Sequence, residues 1–236
     1  MIAWVPELPA ELWSSIWLTV QLASVTTLVL LMIAVPLAHW LNNATGRLQA
    51  LVELVVTLPI VLPPTVIGFY LLILLSPAHL LGKTWYAVFG TTLTFSFSGL
   101  VVGSVVYSLP FAVQPIRNAF RSVDSAIIES ALALGAAAWQ VFWRIIVPIS
   151  RPGILVGASL SFAHTIGEFG VVLMLGGNIP GSTRVASIAL YDQVQQLNYA
   201  AAHGFAIVLL VISVVLLALI ALLQRKNQPP YPRLSL

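Results

Sequence analysis

The chain has 236 residues, of which 59% are hydrophobic and only 7% charged, and its formal net charge is +3. Soluble domains carry about 25% charged residues, so this composition excludes an ordinary water-soluble globule and points to a bilayer. With no cysteine the chain has neither disulfides nor thiolate metal sites, and so small a positive surplus does not by itself indicate nucleic-acid binding.

The opening stretch MIAWVPELPAELW carries Glu7 and Glu11 and no basic residue, so it predicts no signal peptide. A spanning helix needs about 20 predominantly apolar residues. The first such segment covers 12–40, inside a charge-free interval between Glu11 and Arg47. The second covers 51–76, with Glu53 near its start. Pro63 and Pro64 break it near mid-depth, because each lacks an N–H and clashes with the preceding turn. Such a break is either a packing kink or a wall or hinge of a pathway. The third segment, 88–115, lies between Lys83 and Arg117. Its Ser96 and Ser98, with Thr65 and Gln114, are possible donors to an anion, although membrane hydroxyls commonly bond to their own backbone.

Residues 117–150 follow, with Arg117, Arg121, Arg144 and Arg151 in or beside them. Asp124 or Ser125 is suited to cap a helix through AIIESALAL. Gly135 suits a left-handed stop. A second helix, AAAWQVFWRIIV, is expected to end at Pro148, and Pro152 to open the next span. Trp139, Phe142 and Trp143 fall on one face suited to a headgroup boundary. This stretch therefore reads as two short helices with a glycine bend, either an interfacial loop without a partner or a docking element that enters a partner's groove.

The fourth segment, 152–175, contains one charge, Glu168, about 24 Å along it at 1.5 Å per residue. An intramembrane carboxylate is costly and by default a functional candidate. It is expected to pair with Arg184, or to accept backbone N–H groups from a partner helix and hold a gate closed. Gly153, Gly157 and Ser161, like Gly99 and Gly103, form small-residue stripes for close packing, with a dimer seam or pore as the expected contact. Within 176–198, residues 186–197 predict a short surface helix. The fifth segment covers 200–223, and the polar tail 225–236 is expected to be flexible.

Positive residues orient the chain. With 117–150 in the cytoplasm, Arg47, Arg117, Arg121, Arg144, Arg151, Arg225, Lys226 and Arg233 are inside and only Lys83 and Arg184 outside. The N-terminus is then outside and the C-terminus cytoplasmic.

The pattern Glu129, Ser130, Ala131, Gly135, Ile145, Val147, Pro148 resembles the cytoplasmic "EAA" loop of permease subunits of bacterial ABC importers. In that family the order is Glu-Ala-Ala, three residues, Gly, nine residues, Ile, one residue, Leu, Pro. Only Ser130 and Val147 depart from it. LPIVLPPTVIGFYLL, GEFG and NIPGSTR further resemble the permease of molybdate importers, within the oxyanion family that includes sulfate and tungstate permeases. GEFG also occurs in sulfate permeases and does not separate the anions.

The resemblance implies an all-α polytopic membrane protein of type I importer architecture, with about five transmembrane helices and a cytoplasmic coupling helix, as a single permease domain over 1–236. It implies a homodimer in the bacterial inner membrane, with two ATP-binding cassette subunits below and a periplasmic oxyanion-binding protein above. No cofactor is expected on this chain, ATP and Mg2+ belonging to the ATPase subunit. Pro63, Pro64, Thr65, Ser96, Gly167, Glu168, Phe169 and Gly170 are the candidates for the translocation path or gate. The alternatives are a sulfate or tungstate permease and, in another class, an ion-driven secondary transporter or channel. The latter class often shows internal repeats and paired intramembrane charges, and no repeat is visible here. Catalysis is not expected. LLGKTW has Pro77 where a phosphate loop needs glycine, the four histidines show no i, i+4 pair, and no nucleophile–base arrangement is evident.

Overall fold

The computed structural model describes residues 10–226. Among the described residues all regular structure is helical. The helices are α1 (Ala10–Asn43), α2 (Arg47–Val61), α3 (Pro64–Leu75), α4 (Leu80–Phe89), α5 (Phe97–Arg121), α6 (Ser125–Ala133), α7 (Ala138–Val141), α8 (Val147–Ile149), α9 (Arg151–Ile166), α10 (Gly170–Gly176), α11 (Ala186–Gln195) and α12 (Tyr199–Lys226). A π-turn, Phe142–Ile146, joins α7 to α8.

Among the described residues three helices are long and apolar enough to cross a membrane: α1, α5 and the Tyr199–Leu222 part of α12. Two bent pairs raise the number to as many as five, α2 with α3 at 118° and Ala138–Ile149 with α9 at 70°. The segment over 51–76 is broken where Pro63 and Pro64 predict, at Leu62 and Pro63, where the prolines interrupt the hydrogen-bond ladder. The expected span at 88–115 begins later, at Phe97. Gly90 (φ +67°) closes α4, Phe95 (φ +58°) turns the chain, and Ser96 caps α5 by accepting from the Gly99 N–H at 3.2 Å. α5 then continues to Arg121, with Pro110 and Pro115 inside it.

The expected span at 152–175 stops at Ile166 and resumes as α10 after residues 167–169. The second helix of the 117–150 segment runs through Pro148 to Ile149 rather than ending at the proline. The wide π-turn before it leaves room for the ring, and the Ser150 N–H still bonds to the Ile146 carbonyl at 2.9 Å. Arg225 and Lys226 belong to the backbone of α12, not to a tail, and 227–236 lie outside the described residues.

The body is α5 packed between α1, α9 and α2, with α10 lying against α3 and α5, and α11 against α12. The small-residue stripe explains the closest approach. A Cβ on Gly153 would lie 2.2 Å from the Ala119 Cβ, and one on Gly157 2.9 Å from the Ala112 carbonyl. The stripe on α9 is thus used against α5 within the chain, which corrects the expected dimer seam or pore contact. Its third member, Ser161, bonds to the Gly157 carbonyl at 2.8 Å. One apolar cluster (Leu30, Ala34, Leu41, Ile116, Phe120, Phe142) fills the arginine-bearing end, and another (Leu22, Leu100, Val171, Leu175, Ile188) fills the opposite end.

Candidate functional site

At the arginine-bearing end the chain forms an elbow, residues 122–150. The Asp124 carboxylate accepts from the Ala126 N–H at 2.9 Å and starts α6. Gly135 (φ +85°) ends it, with the Ala136 N–H reaching back to the Ala131 carbonyl at 3.1 Å. The Gln140 side chain then accepts from the Ala137 N–H at 3.1 Å and starts α7.

The seven residues of the elbow pattern divide into two sets. Glu129, Ser130 and Gly135 are exposed, and the Ser130 hydroxyl bonds to the Ala126 carbonyl. Ala131, Ile145, Val147 and Pro148 are half-buried, and the first three pack the elbow onto the apolar cluster of the body. No residue of α6 is buried, and Leu134 at its tip is 90% exposed. Trp139 and Trp143 are also exposed. Phe142, expected on their face, turns inward against His39 (ring centroids 4.3 Å apart) and Phe120 (5.9 Å).

The second set of candidates meets at the opposite end. The Pro63–Pro64 break and the GEFG stretch touch: a Cβ on Gly170 would lie 2.9 Å from the Pro64 Cβ and 3.4 Å from the Thr65 nitrogen. Glu168 sits between α9 and α10 and is 3% exposed. Among the described residues neither carboxylate oxygen has a hydrogen-bond partner within 3.5 Å, and the buried Ser104 hydroxyl, its polar neighbour, is likewise unbonded at that distance. Its backbone carbonyl accepts from the Ser187 hydroxyl at 2.6 Å. Gly167, Phe169 and Ser187 line an apolar cavity toward α11 and α12.

The expected pairing of Glu168 with Arg184 does not occur. Arg184 is taken by Glu11, by Asn178 at 2.5 Å and by Asp192 at 3.8 Å. It is anchored where α1 begins, because the Thr19 hydroxyl receives the first N–H of α11 from Ala186 at 2.8 Å. Ser96 is also apart from the group, occupied as a helix cap that donates to the Leu93 carbonyl at 2.7 Å.

Two polar contacts escaped the sequence reading. Ser108 on α5 bonds to His164 (2.9 Å) and to Thr165 (3.2 Å) on α9, with His164 stacked on Phe111. At the arginine-bearing end Arg117 grips Glu53 with both terminal nitrogens, at 2.5 and 3.1 Å. An acid at the start of one apolar segment and an arginine at the end of another were the available signal, but they stand 64 positions apart.

Comparison with known families decides the membership. The family described as "Binding-protein-dependent transport system inner membrane component" matches residues 30–229. The chain belongs to this family. Among its relatives, the molybdenum transport system permease protein ModB of Azotobacter vinelandii is 48% identical over 193 residues, 82% of this chain and 85% of that protein. The sulfate transport system permease protein CysT of Synechocystis sp. is 37% identical over 177 residues, 75% of this chain and 62% of that protein. In three dimensions the chain is similar to the crystal structure of a bacterial ABC transporter involved in the import of the acidic polysaccharide alginate. The TM-score is 0.74, with 20% identity, 93% of this chain covered and 81% of that chain. Membership and fold agree: this is the architecture of ABC importer permeases.

Proposed function

We propose that this chain is the transmembrane permease subunit of an ATP-driven importer that carries molybdate across a bacterial inner membrane. The 48% identity to a molybdenum transport permease, over most of both chains, carries the reading. Residues 1–236 then make a single permease domain. With the elbow taken as cytoplasmic, the order of the apolar segments in the sequence assigns eight of the ten basic residues to that side, which supports a cytoplasmic C-terminus and an N-terminus outside.

In this reading the elbow enters a groove on an ATP-binding cassette subunit. The exposed Leu132 and Leu134 at the tip of α6, on a helix seated on the body through Ile128 and Ala131, suit helix-in-groove docking. Two copies of the chain enclose the pathway, two ATPase subunits dock below, and a periplasmic oxyanion-binding protein delivers the anion above. ATP and Mg2+ stay in the ATPase subunit, and this chain holds no cofactor and performs no covalent chemistry. Closure of the ATPase pair draws the elbows together, and the membrane helices swing from inward-facing to outward-facing. Pro63, Pro64, Thr65, Gly167, Glu168, Phe169 and Gly170 form the gate region, a reading supported by the contact of Gly170 with Pro64. A sulfate permease is the second reading, favoured by the 37% identity to a sulfate permease.

Uptake into vesicles holding this chain with its ATPase and binding protein tests both. Vanadate-sensitive molybdate uptake that excess sulfate leaves intact is the expected result. Equal competition by sulfate favours the second reading, and uptake without ATP overturns both. Gly135→Leu tests docking, since a left-handed backbone strains any side chain. It should reduce recovery of the ATPase with the chain.

A further inference from the structure

Three helix ends meet just above the elbow. Arg117 lies in the last turns of α5, eight residues before α6 begins. It is 8% exposed and holds Glu53 of α2 by two parallel hydrogen bonds of 2.5 and 3.1 Å. Its Nε donates to the Asn42 side-chain oxygen of α1 at 3.3 Å, and the Asn42 amide donates back to the Arg117 carbonyl at 3.2 Å. Arg121 donates to the same Asn42 oxygen at 2.9 Å, and Gln49 supports Glu53 at 3.2 Å.

Apolar contacts slide, because dispersion and hydrophobic burial are non-directional. A two-pronged guanidinium–carboxylate pair fixes both distance and orientation. α5 leads into the elbow through three residues, so what displaces the elbow displaces Arg117. α2 is a single helix from Arg47 to Val61, and its far end is the Leu62–Pro63 break, next to Pro64 and Gly170.

We infer that Glu53 and Arg117 are positioning residues that deliver movement of the elbow to α2, and through α2 to the proline break beside Gly170. The inference rests on the coupling reading above and names the contact through which coupling passes. Without the pair the elbow still docks and still moves, but α2 is no longer obliged to follow. ATP is then hydrolysed with less anion moved.

The test uses the complete complex of chain, ATPase and binding protein in vesicles. Two variants are compared with the parent, Glu53→Gln, which keeps shape and removes the charge, and Arg117→Lys, which keeps the charge and removes the fork. Molybdate moved per ATP hydrolysed should fall about fivefold in Glu53→Gln and less in Arg117→Lys, with the ATPase still bound. A loss of folding alone would lower recovery of the complex and leave that ratio unchanged in what remains.

The chain has no cysteine, so pairs of spin labels report the motion directly. Labels at Ala126 on the elbow of each copy, and separately at Ile60 on α2, should both shift on ATP binding in the parent. In Glu53→Gln only the elbow pair should shift. If the α2 pair still follows the elbow, or the transport ratio is unchanged, the inference is overturned. If the elbow pair is still in the parent complex, the coupling reading itself falls, and this inference with it.

Discussion

Glu53 lies on α2 and Glu168 at the break between α9 and α10, both acids in apolar segments, and the two ends of the molecule treat them differently. Glu53 has a bidentate arginine, a supporting glutamine and a side chain that retains 41% exposure. Glu168 is 3% exposed, and neither of its oxygens is bonded. A paired acid fixes three helix ends in one arrangement. An unpaired one is retained at a cost to the very arrangement that buries it. The first is suited to the rigid part of a moving machine. The second suits a part that rearranges, and it lies at the break between α9 and α10, next to the break between α2 and α3.

The comparison is broken most sharply by removing the pairing at the first end. Arg117→Met should cost about 2.5 kcal/mol of unfolding free energy in detergent, through the loss of its charge-assisted hydrogen bonds to Glu53 and Asn42. The Glu53 charge left behind reaches solvent and adds little to that loss. Unfolding at the parent's denaturant midpoint would show that the clamp holds nothing.

Gly170→Val addresses the contact between the two breaks. Its Cβ would lie 2.9 Å from a proline ring carbon that has little freedom to retreat. Overpacking of this kind costs about 2 kcal/mol. The loss should appear in thermal unfolding and, in reconstituted vesicles, as slower uptake with the ATPase still bound. Full uptake would separate the two breaks functionally.

Glu168→Gln carries the opposite sign. It removes an unpartnered carboxyl and leaves a polar amide in its place, so the gain is modest, about 1 kcal/mol of added stability. Uptake should fall while stability rises, a combination that a packing role does not produce. Lower stability would mean that the carboxyl has a partner in the resting protein.

What was legible in the sequence was local. Asp124 and Gly135 mark the two ends of α6 through bonds that close within five residues, Pro152 opens α9 where a missing N–H costs nothing, and the Pro63–Pro64 break depends only on a missing N–H and a ring. The start of α5 was not legible, because hydropathy is blind to the left-handed turns at Gly90 and Phe95. The contact of Gly170 with Pro64 was not legible either, though both stretches stood out separately. Nothing in either one specifies that α10 packs against α3. Charge pairing across the chain failed for the same reason. Arg184 was the nearest free cation in sequence to Glu168, yet the fold brings it to Glu11, 173 positions away.

That misassigned arginine supplies the smallest effect and a third point on the scale set by Glu53 and Glu168. The Glu11 side chain is 40% exposed, and Arg184 also holds Asn178 and, at longer range, Asp192. Water and salt screen such a pair, and the remaining partners compensate for its loss. Glu11→Gln should therefore cost about 0.5 kcal/mol, and less as salt is raised. The Glu53 and Glu11 side chains are equally exposed, at 41% and 40%, so these two acids would then rank by geometry and partnership, not by the mere presence of a salt bridge. A loss as large as that of Arg117→Met would reverse the ranking. It would make the start of α1 and the turn before α11 a second clamp, and the rigid part of the molecule would extend to both faces.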